Sequence, residues 1–340
     1  MSDPRLPVTI ITGFLGAGKT TLLNHLIKKH PDKRFAIIEN EFGDIGIDGA
    51  LIVEGSDSIF ELSNGCICCT LNNDLNDTLT KLMAMGERIN HILVETTGIA
   101  DPLTVVQSFL TGEAVQRYFR IDSVVCLVDA EHLADLMESE PEVRNQLAMS
   151  DVVLLNKTDR VHADYLATLR KTISQMSPMA MLHETTFADV SHIDIIDTNA
   201  YGGRQVGTTV LRFDATHRPL VVSNVMAPAF EKKAHTHRHD ITSEGFEFAG
   251  SFDIQRFNAW IQGFLYFNSN TVYRVKGLVS FAGYDQLFVF HAVRGTFMLE
   301  KYEGNFPGGE ICKMVFIGKF LDRELLQNSL EQLLDGPMPG

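Results

Sequence analysis

Short, nearly unbroken apolar runs alternate with stretches of helical periodicity through the first two thirds of the chain. The runs are Val8–Ile11, Phe35–Ile38, Ile59–Leu62, His91–Val94, Ser123–Ala130, Asp151–Leu155 and Pro178–Leu182. Runs of this length with few polar interruptions suit strands buried on both faces, as in a parallel sheet covered by helices. Between them lie helical patterns: Thr21–Ile27, the series Leu71, Leu75, Leu79 and Leu82, Asp101-Pro102 through Leu110, a helix end at Gln146–Ser150, and Tyr165–Ile173. Strand and helix in alternation predict an α/β domain. The pattern changes after the Gly202-Gly203 pair. Strands are expected around Phe246–Phe248, Thr271–Val279, Gln286–Val293 and Lys313–Ile317, with helices over Ile254–Phe264 and Asp322–Leu334. Phe257, Ile261, Phe264 and Leu265 make an apolar stripe on the first of these helices. Antiparallel strands with separate helices predict a smaller α+β domain. The expected division is residues 1–205 and 206–340.

The first strand-to-helix junction carries chemistry. Gly13-Phe14-Leu15-Gly16-Ala17-Gly18-Lys19-Thr20 matches the phosphate-cradling pattern G-x-x-x-x-G-K-[ST] in full. It lies between a strand and a helix whose first turn, through Thr21, offers free N–H groups and the positive end of a dipole. Glycines let the backbone curl around phosphate oxygens. Lys19 is expected to reach the β- and γ-phosphates and the Thr20 hydroxyl to reach Mg²⁺. The fold expected from this motif is that of a P-loop NTPase.

Three further strand exits carry metal-ligating or catalytic residue types. Glu39, Glu41, Asp44 and Asp48 put four carboxylates within ten residues, at what should be the ligand-bearing edge of the sheet. Asp48 is a candidate for Mg²⁺ or for orienting the attacking water, and Glu39 and Glu41 are candidates for a second metal. Cys66-Ile67-Cys68-Cys69 follows the strand at Ile59–Leu62 and precedes a helix, where thiolates are favoured. Clustered thiolates fit Zn²⁺ best, with a carboxylate as a possible further ligand; a redox dithiol is the other use. Glu95-Thr96-Thr97-Gly98 ends another strand. Glu95 is placed to act on Mg²⁺ or water, and the Gly98 N–H to touch a γ-phosphate.

Asn156-Lys157-Thr158-Asp159 follows the Asp151–Leu155 strand and resembles the guanine-reading N-K-x-D of GTPases. An aspartate accepts from both N1–H and the N2 amine of guanine, and adenine offers neither in that arrangement. Asn156 is expected to bond N7 or to tie neighbouring loops, and the stem of Lys157 to cover the base. His183-Glu184-Thr185 is expected as a loop beside the base. Farther on, His235, His237 and His239 alternate in a tract that suits either metal capture or an unspecific polar loop.

Composition narrows the partners. A formal net charge of -14 argues against nucleic acid or an anionic membrane as the main partner. Residues 1–7 hold two prolines and no apolar stretch, so no secretory leader is expected. No apolar run approaches the roughly 18 residues of a membrane span. Five cysteines, three of them within residues 66–69, read as a thiol or metal site in a reducing, cytoplasmic setting rather than a disulfide framework. Cys126, inside an apolar strand, and Cys312 are expected to be core thiols.

Taken together, Thr12–Thr21, Glu39-Asn40-Glu41-Phe42-Gly43, Gly65-Cys66-Ile67-Cys68-Cys69, Glu95–Gly98, Asn156–Asp159, the histidine tract and Lys313–Gly318 resemble the CobW-type family of metal-handling P-loop GTPases over nearly the full length. The resemblance implies slow GTP hydrolysis to GDP, with Mg²⁺, coupled to delivery of a metal to a client metalloprotein. Zinc is the usual cargo; cobalt and iron occur in other branches. It also implies that Cys66, Cys68 and Cys69 hold the cargo beside Glu39, that Gly13, Gly16, Ala17, Gly18, Lys19, Thr20 and Thr21 hold the phosphates and Mg²⁺, and that Asn156 and Asp159 read guanine. Two features depart from the family pattern. The histidine tract is short, and Asp44 stands where many relatives carry glutamate. A regulatory GTPase that senses metal without delivering it is the alternative. Oligomeric state stays open, with dependence on nucleotide or metal one possibility.

Overall fold

The computed structural model describes residues 3–40, 59–64, 79–80, 82–83, 88–110, 113–201, 241–302 and 311–335. Two compact units divide the chain, Met1–Ser174 with Ala180–Tyr201, and Gln175–Met179 with Gly202–Gly340.

The first unit opens with β1 (Leu6–Thr12), α1 (Lys19–Lys29), β2 (Phe35–Asn40), β3 (Ile59–Asn64) and β4 (His91–Glu95). Then come α2 (Pro102–Leu110), α3 (Glu113–Tyr118), β5 (Phe119–Asp129), α4 (Leu133–Ser139), α5 (Pro141–Met149), β6 (Val152–Asn156), α6 (Ala163–Met176) and β7 (Met181–Glu184). The strands form one sheet in the order β3-β2-β4-β1-β5-β6-β7, and every pairing is parallel. The expected parallel α/β sheet is therefore present. β1 sits centrally, and its phosphate-loop exit shares the carboxyl-end edge with the exits of β2, β3, β4 and β6. Ligands of open α/β sheets bind along that edge.

The apolar runs behave as expected of strands covered twice. β6 is buried throughout, and β5 nearly so. On one face Leu22, Leu23 and Leu26 of α1, with Ile195 and Ile196, pack over Ile11, Ile37, Leu93, Val125, Leu127 and Leu154. On β1 and β5, α2 also packs, and α5 reaches α2 and β5. Leu79 and Leu82, from the leucine series, are buried; Leu71 and Leu75 lie outside the described residues.

A register shift between β1 and β5 fastens the end of this unit. Val8 pairs with Ile121 and Thr9 with Ser123, which leaves Asp122 as a bulge. The buried Asp122 carboxylate accepts the N–H groups of Asn199 (2.6 Å) and Thr198 (3.3 Å), and its carbonyl accepts that of Tyr201 (2.8 Å). Nearby, His91 spans Thr9 Oγ1 (2.9 Å) and Asp197 Oδ1 (3.2 Å). Hydrogen bonding from His91, opposed by burial and aided by Lys33, holds the Asp197 carboxyl far below the usual carboxylate range. Because the folded-state pKa is lowered, this contact stabilises the fold above the ordinary carboxylate pKa and fades as pH falls below it.

The second unit contains β8 (Thr242–Ala249), α7 (Ile254–Asn268), β9 (Val272–Ser280), β10 (Leu287–Val293), β11 (Thr296–Lys301), β12 (Ile311–Gly318) and α8 (Arg323–Glu331). Its sheet runs β11-β10-β9-β12-β8, all antiparallel. The stripe Phe257, Ile261, Phe264 and Leu265, with Trp260, meets Val275, Phe290, Phe316, Leu326 and Leu330 in one core. Asp253 and Asp322 cap the two helices, accepting from Gln255 and Arg256, and from Leu325.

Two expectations need correction. The last strand of the parallel sheet begins at Met181, not Pro178, so His183 and Glu184 belong to β7 and only Thr185 lies in the loop. Pro178 has no N–H to give to a ladder, and residues 178–180 form a turn instead. β11 was not expected. It hairpins onto β10 across Arg294-Gly295, with Arg294 left-handed (φ 55°). That conformation is held by the guanidinium, which donates to the Ser269 carbonyl (3.0 Å) and stacks 4.1 Å from the centre of the Tyr273 ring.

Candidate functional site: a phosphate loop and a base-reading turn

The phosphate loop passes tightly over β5. A Cβ on Gly13 (φ 139°) would sit 2.3 Å from the Leu127 carbonyl oxygen, so no other residue fits there without moving β5. The Ala17 N–H closes back on the Phe14 carbonyl (3.2 Å). Gly16 is exposed at the top of the loop, Gly18 lies at the start of α1, and Ala17 is buried beneath. Lys19 is almost wholly buried, and its Nζ donates to the carbonyls of Gly13 (3.0 Å) and Phe14 (3.5 Å). The ammonium is thus folded back along the loop, within the turn that a phosphate would occupy. Thr20 is partly buried and Thr21 exposed on the first turn of α1. Backbone N–H groups and a hydroxyl at a helix start, with a buried cation, are the groups that a nucleotide triphosphate with Mg²⁺ requires.

The Glu95–Gly98 segment lies directly beside this loop. Thr96 donates its N–H to the Ile11 carbonyl (2.9 Å) and its hydroxyl to Thr12 Oγ1 (3.0 Å). A Cβ on Gly98 would come within 2.6 Å of the Leu15 backbone nitrogen, so the two backbones are in close apposition. The buried Gln146 of α5 fixes this approach, its Nε2 donating to the carbonyls of Gly98 (3.0 Å) and Ala100 (3.2 Å). Its neighbour Asn145 donates to Asp101 Oδ2 (3.3 Å). Neither residue was singled out from sequence. A buried amide in an amphipathic helix is the only local signal, and its partners are 46 and 48 positions away.

Backbone register relates the acidic strand ends. Glu95 stands opposite Ile11 in β1 and opposite Glu39 in β2. β3 in turn aligns Ser63 with Glu39 and ends at Asn64, two residues before Cys66. Of the sequence-predicted site, Glu41, Asp48, Cys66, Cys68, Cys69, His235, His237 and His239 lie outside the described residues, as does Asp44.

The Asn156–Asp159 turn is tied to two other loops. Asn156, at the end of β6, is buried; its Oδ1 accepts the Ala188 N–H (2.8 Å) and the Thr185 hydroxyl (3.2 Å), and its Nδ2 donates to the Ala17 carbonyl (2.9 Å). Of the two roles open to it, its geometry is that of tying neighbouring loops. Lys157 is left-handed (φ 60°), and its ammonium reaches Asp129 Oδ2 at 2.7 Å. Burial alone would raise the Asp129 pKa. Hydrogen bonds from Lys157, His132 and the Glu131 N–H outweigh it and hold the carboxyl below its ordinary value. Asp129 therefore stays ionised and anchors the lysine head, leaving the stem along the turn; it too was missed from sequence. Asp159 is exposed on the short 3-10 turn Thr158–Arg160.

The two described cysteines are core thiols. Both are buried, and burial pushes the Cys126 thiol up to about 12, against a smaller opposing effect of Lys19. Maleimide applied near neutral pH is expected to leave Cys126 and Cys312 unmodified in the folded protein and to label both after denaturation, read by peptide mass mapping. Labelling of Cys126 in the native state would contradict its environment.

Comparison with known proteins agrees with this architecture. The family profile described as "CobW/HypB/UreG, nucleotide-binding domain" matches residues 7–184, and "Cobalamin synthesis protein cobW C-terminal domain" matches residues 241–334. A Schizosaccharomyces pombe protein named zinc-regulated GTPase metalloprotein activator 1 is 30% identical over 316 residues, covering 87% of this chain and 76% of that protein. The Escherichia coli protein named zinc chaperone YjiA is 30% identical over 328 residues, covering 94% and 96%. The crystal structure of the Zn(II)-bound E. coli YjiA GTPase superposes with a TM-score of 0.66 at 25% identity, over 98% of this chain and 99% of that one. With both profiles matched in order and relatives aligned along most of its length, the chain belongs to the CobW/HypB/UreG family of nucleotide-binding proteins, in the form that carries a CobW C-terminal domain.

Proposed function

We propose that this chain is a GTPase that binds Zn²⁺ and hands it to a client metalloprotein. The observation that carries the reading is the register across β3, β2, β4 and β1. Glu39 stands beside Glu95, next to the strand that feeds the phosphate loop, and β3 stops just short of Cys66 on the same edge of the sheet. A nucleotide at the loop and a metal on the cysteines would then share neighbouring strand exits, so that each can bias the arrangement the other sees. Lys19 and Thr20 serve the phosphates and Mg²⁺, Gly98 the γ-phosphate, and Asn156, Lys157 and Asp159 the guanine site. Glu95 and Asp48 act on Mg²⁺ or water. Cys66, Cys68 and Cys69, with Glu39 or Glu41, hold the cargo. Thiolate donors favour Zn²⁺ over Fe²⁺, and Co²⁺ is the nearest competitor. The histidines at 235, 237 and 239 serve as weak capture points.

The nucleotide and cysteine chemistry is assigned to residues 1–205, with residues 206–340 as the CobW-like domain. A cytoplasmic location fits reduced thiols. Among the described residues, no helix is long and apolar enough to cross a membrane.

Zinc titration with and without a non-hydrolysable GTP analogue tests this. Coupling of ordinary size changes the zinc affinity by about 5- to 150-fold, and zinc must change the analogue's affinity by the same factor. Serine at positions 66, 68 and 69 should abolish the effect in both directions. Equal zinc affinity with and without the analogue would remove the coupling and the chaperone reading with it. Zinc transfer to an apo-client that requires hydrolysis separates delivery from mere sensing.

A further inference from the structure

Thr185–Ala188, the loop after β7, places an aromatic ring in solvent at a cost in backbone strain. Phe187 (φ 54°) and Ala188 (φ 52°) are consecutive non-glycine residues in the left-handed region, where a Cβ crowds its own backbone. The strain is held in place by the base-reading turn. Asn156 Oδ1 takes the Ala188 N–H at 2.8 Å and the Thr185 hydroxyl at 3.2 Å, and the Thr185 carbonyl takes the Thr158 N–H (3.3 Å) and hydroxyl (3.2 Å). Ala188 is turned inward and buried, its methyl 3.8 Å from where a Cβ on Gly18 would lie. Phe187, one residue earlier, is turned outward and 73% exposed. A single exposed apolar residue is ordinary on a protein surface. An exposed phenylalanine in a loop tied by four hydrogen bonds to the residues flanking Lys157, one position from a methyl that lies against the phosphate loop, is not.

We infer that Phe187 is a base-stacking residue of the nucleotide site, giving an apolar wall against which a purine packs while Asp159 reads its edge. The inference rests on the reading of this site as a guanine-nucleotide site. Every base has a π-face, so stacking adds affinity without choosing between bases; selectivity is left to Asp159. The ring should therefore matter for nucleosides and be irrelevant to a bare phosphate chain.

Calorimetric titration of the full chain with Mg·GDP and with Mg·tripolyphosphate provides the test. Phe187→Ala should weaken GDP binding by about tenfold, the scale of one aromatic–base stack, and leave tripolyphosphate binding unchanged. Phe187→Tyr should restore GDP affinity. GDP binding within twofold of wild type in Phe187→Ala would overturn the assignment. So would an equal loss for GDP and tripolyphosphate, which would mean that the residue merely shapes the loop. Failure of the wild-type chain to bind GDP at all would instead strike the guanine-nucleotide reading itself.

Discussion

Replacing Lys19 with alanine is expected to lower GTP turnover by about a thousandfold, the scale of removing a preorganised charge from a developing anion. The lysine already lies buried along the phosphate loop, bonded to the Gly13 and Phe14 carbonyls. When a triphosphate enters, the ammonium can exchange those carbonyls for phosphate oxygens with little movement, so the charge is present before the reaction needs it. Phosphoryl transfer asks little else of a protein than position and electrostatic support. The fold should hardly notice the change. Gly13 keeps its close fit over Leu127, and the lost ammonium contacts to the Gly13 and Phe14 carbonyls are offset by the desolvation cost of a buried cation that alanine no longer bears. Single-turnover hydrolysis read beside thermal unfolding separates the two effects. Turnover within tenfold of wild type, in a folded variant, would mean that the loop is not where the γ-phosphate reacts.

Why was this part of the site legible from sequence? The strand, the glycines, the lysine and the helix are consecutive, so local chain geometry alone builds the cradle. The same holds for Asn156–Asp159, which follows a strand buried at every position. Other pieces depend on partners far along the chain. Gln146 matters because the fold brings it to Gly98, and Asp129 because it meets Lys157; neither has a pattern of its own. The strand order was also hidden. Apolar runs announce strands, but only packing decides that β4 inserts between β2 and β1 and so brings Glu95 beside Glu39. β11 escaped because its residues are only half buried and its hairpin turn uses a left-handed arginine stabilised by Tyr273 and Ser269, where a glycine or asparagine would have been read as the signal.

The second large effect is a change of base. Asp159→Asn is expected to weaken GDP binding by at least about a hundredfold, because two hydrogen bonds to an ionised acceptor are lost or replaced by weaker ones. An asparagine amide presents a donor where guanine also presents one, so the variant should turn toward xanthosine diphosphate, whose C2 carbonyl accepts. The surrounding turn supports this reading. Thr158 ties it to Thr185, Asn156 ties both to Ala17 of the phosphate loop, and the Lys157 head is drawn away to Asp129. Asp159 itself is exposed, so its replacement removes no core contact and the melting temperature should stay within about a degree or two of wild type, as surface changes do. Competition of GDP, inosine diphosphate and xanthosine diphosphate against a labelled nucleotide gives the readout. In the wild type, inosine diphosphate, which lacks the N2 amine, should bind more weakly than GDP; in the variant that difference should vanish and xanthosine diphosphate should lead. An unchanged order of the three would take Asp159 out of base recognition and leave the selectivity of the site to the backbone of the Thr185–Ala188 loop.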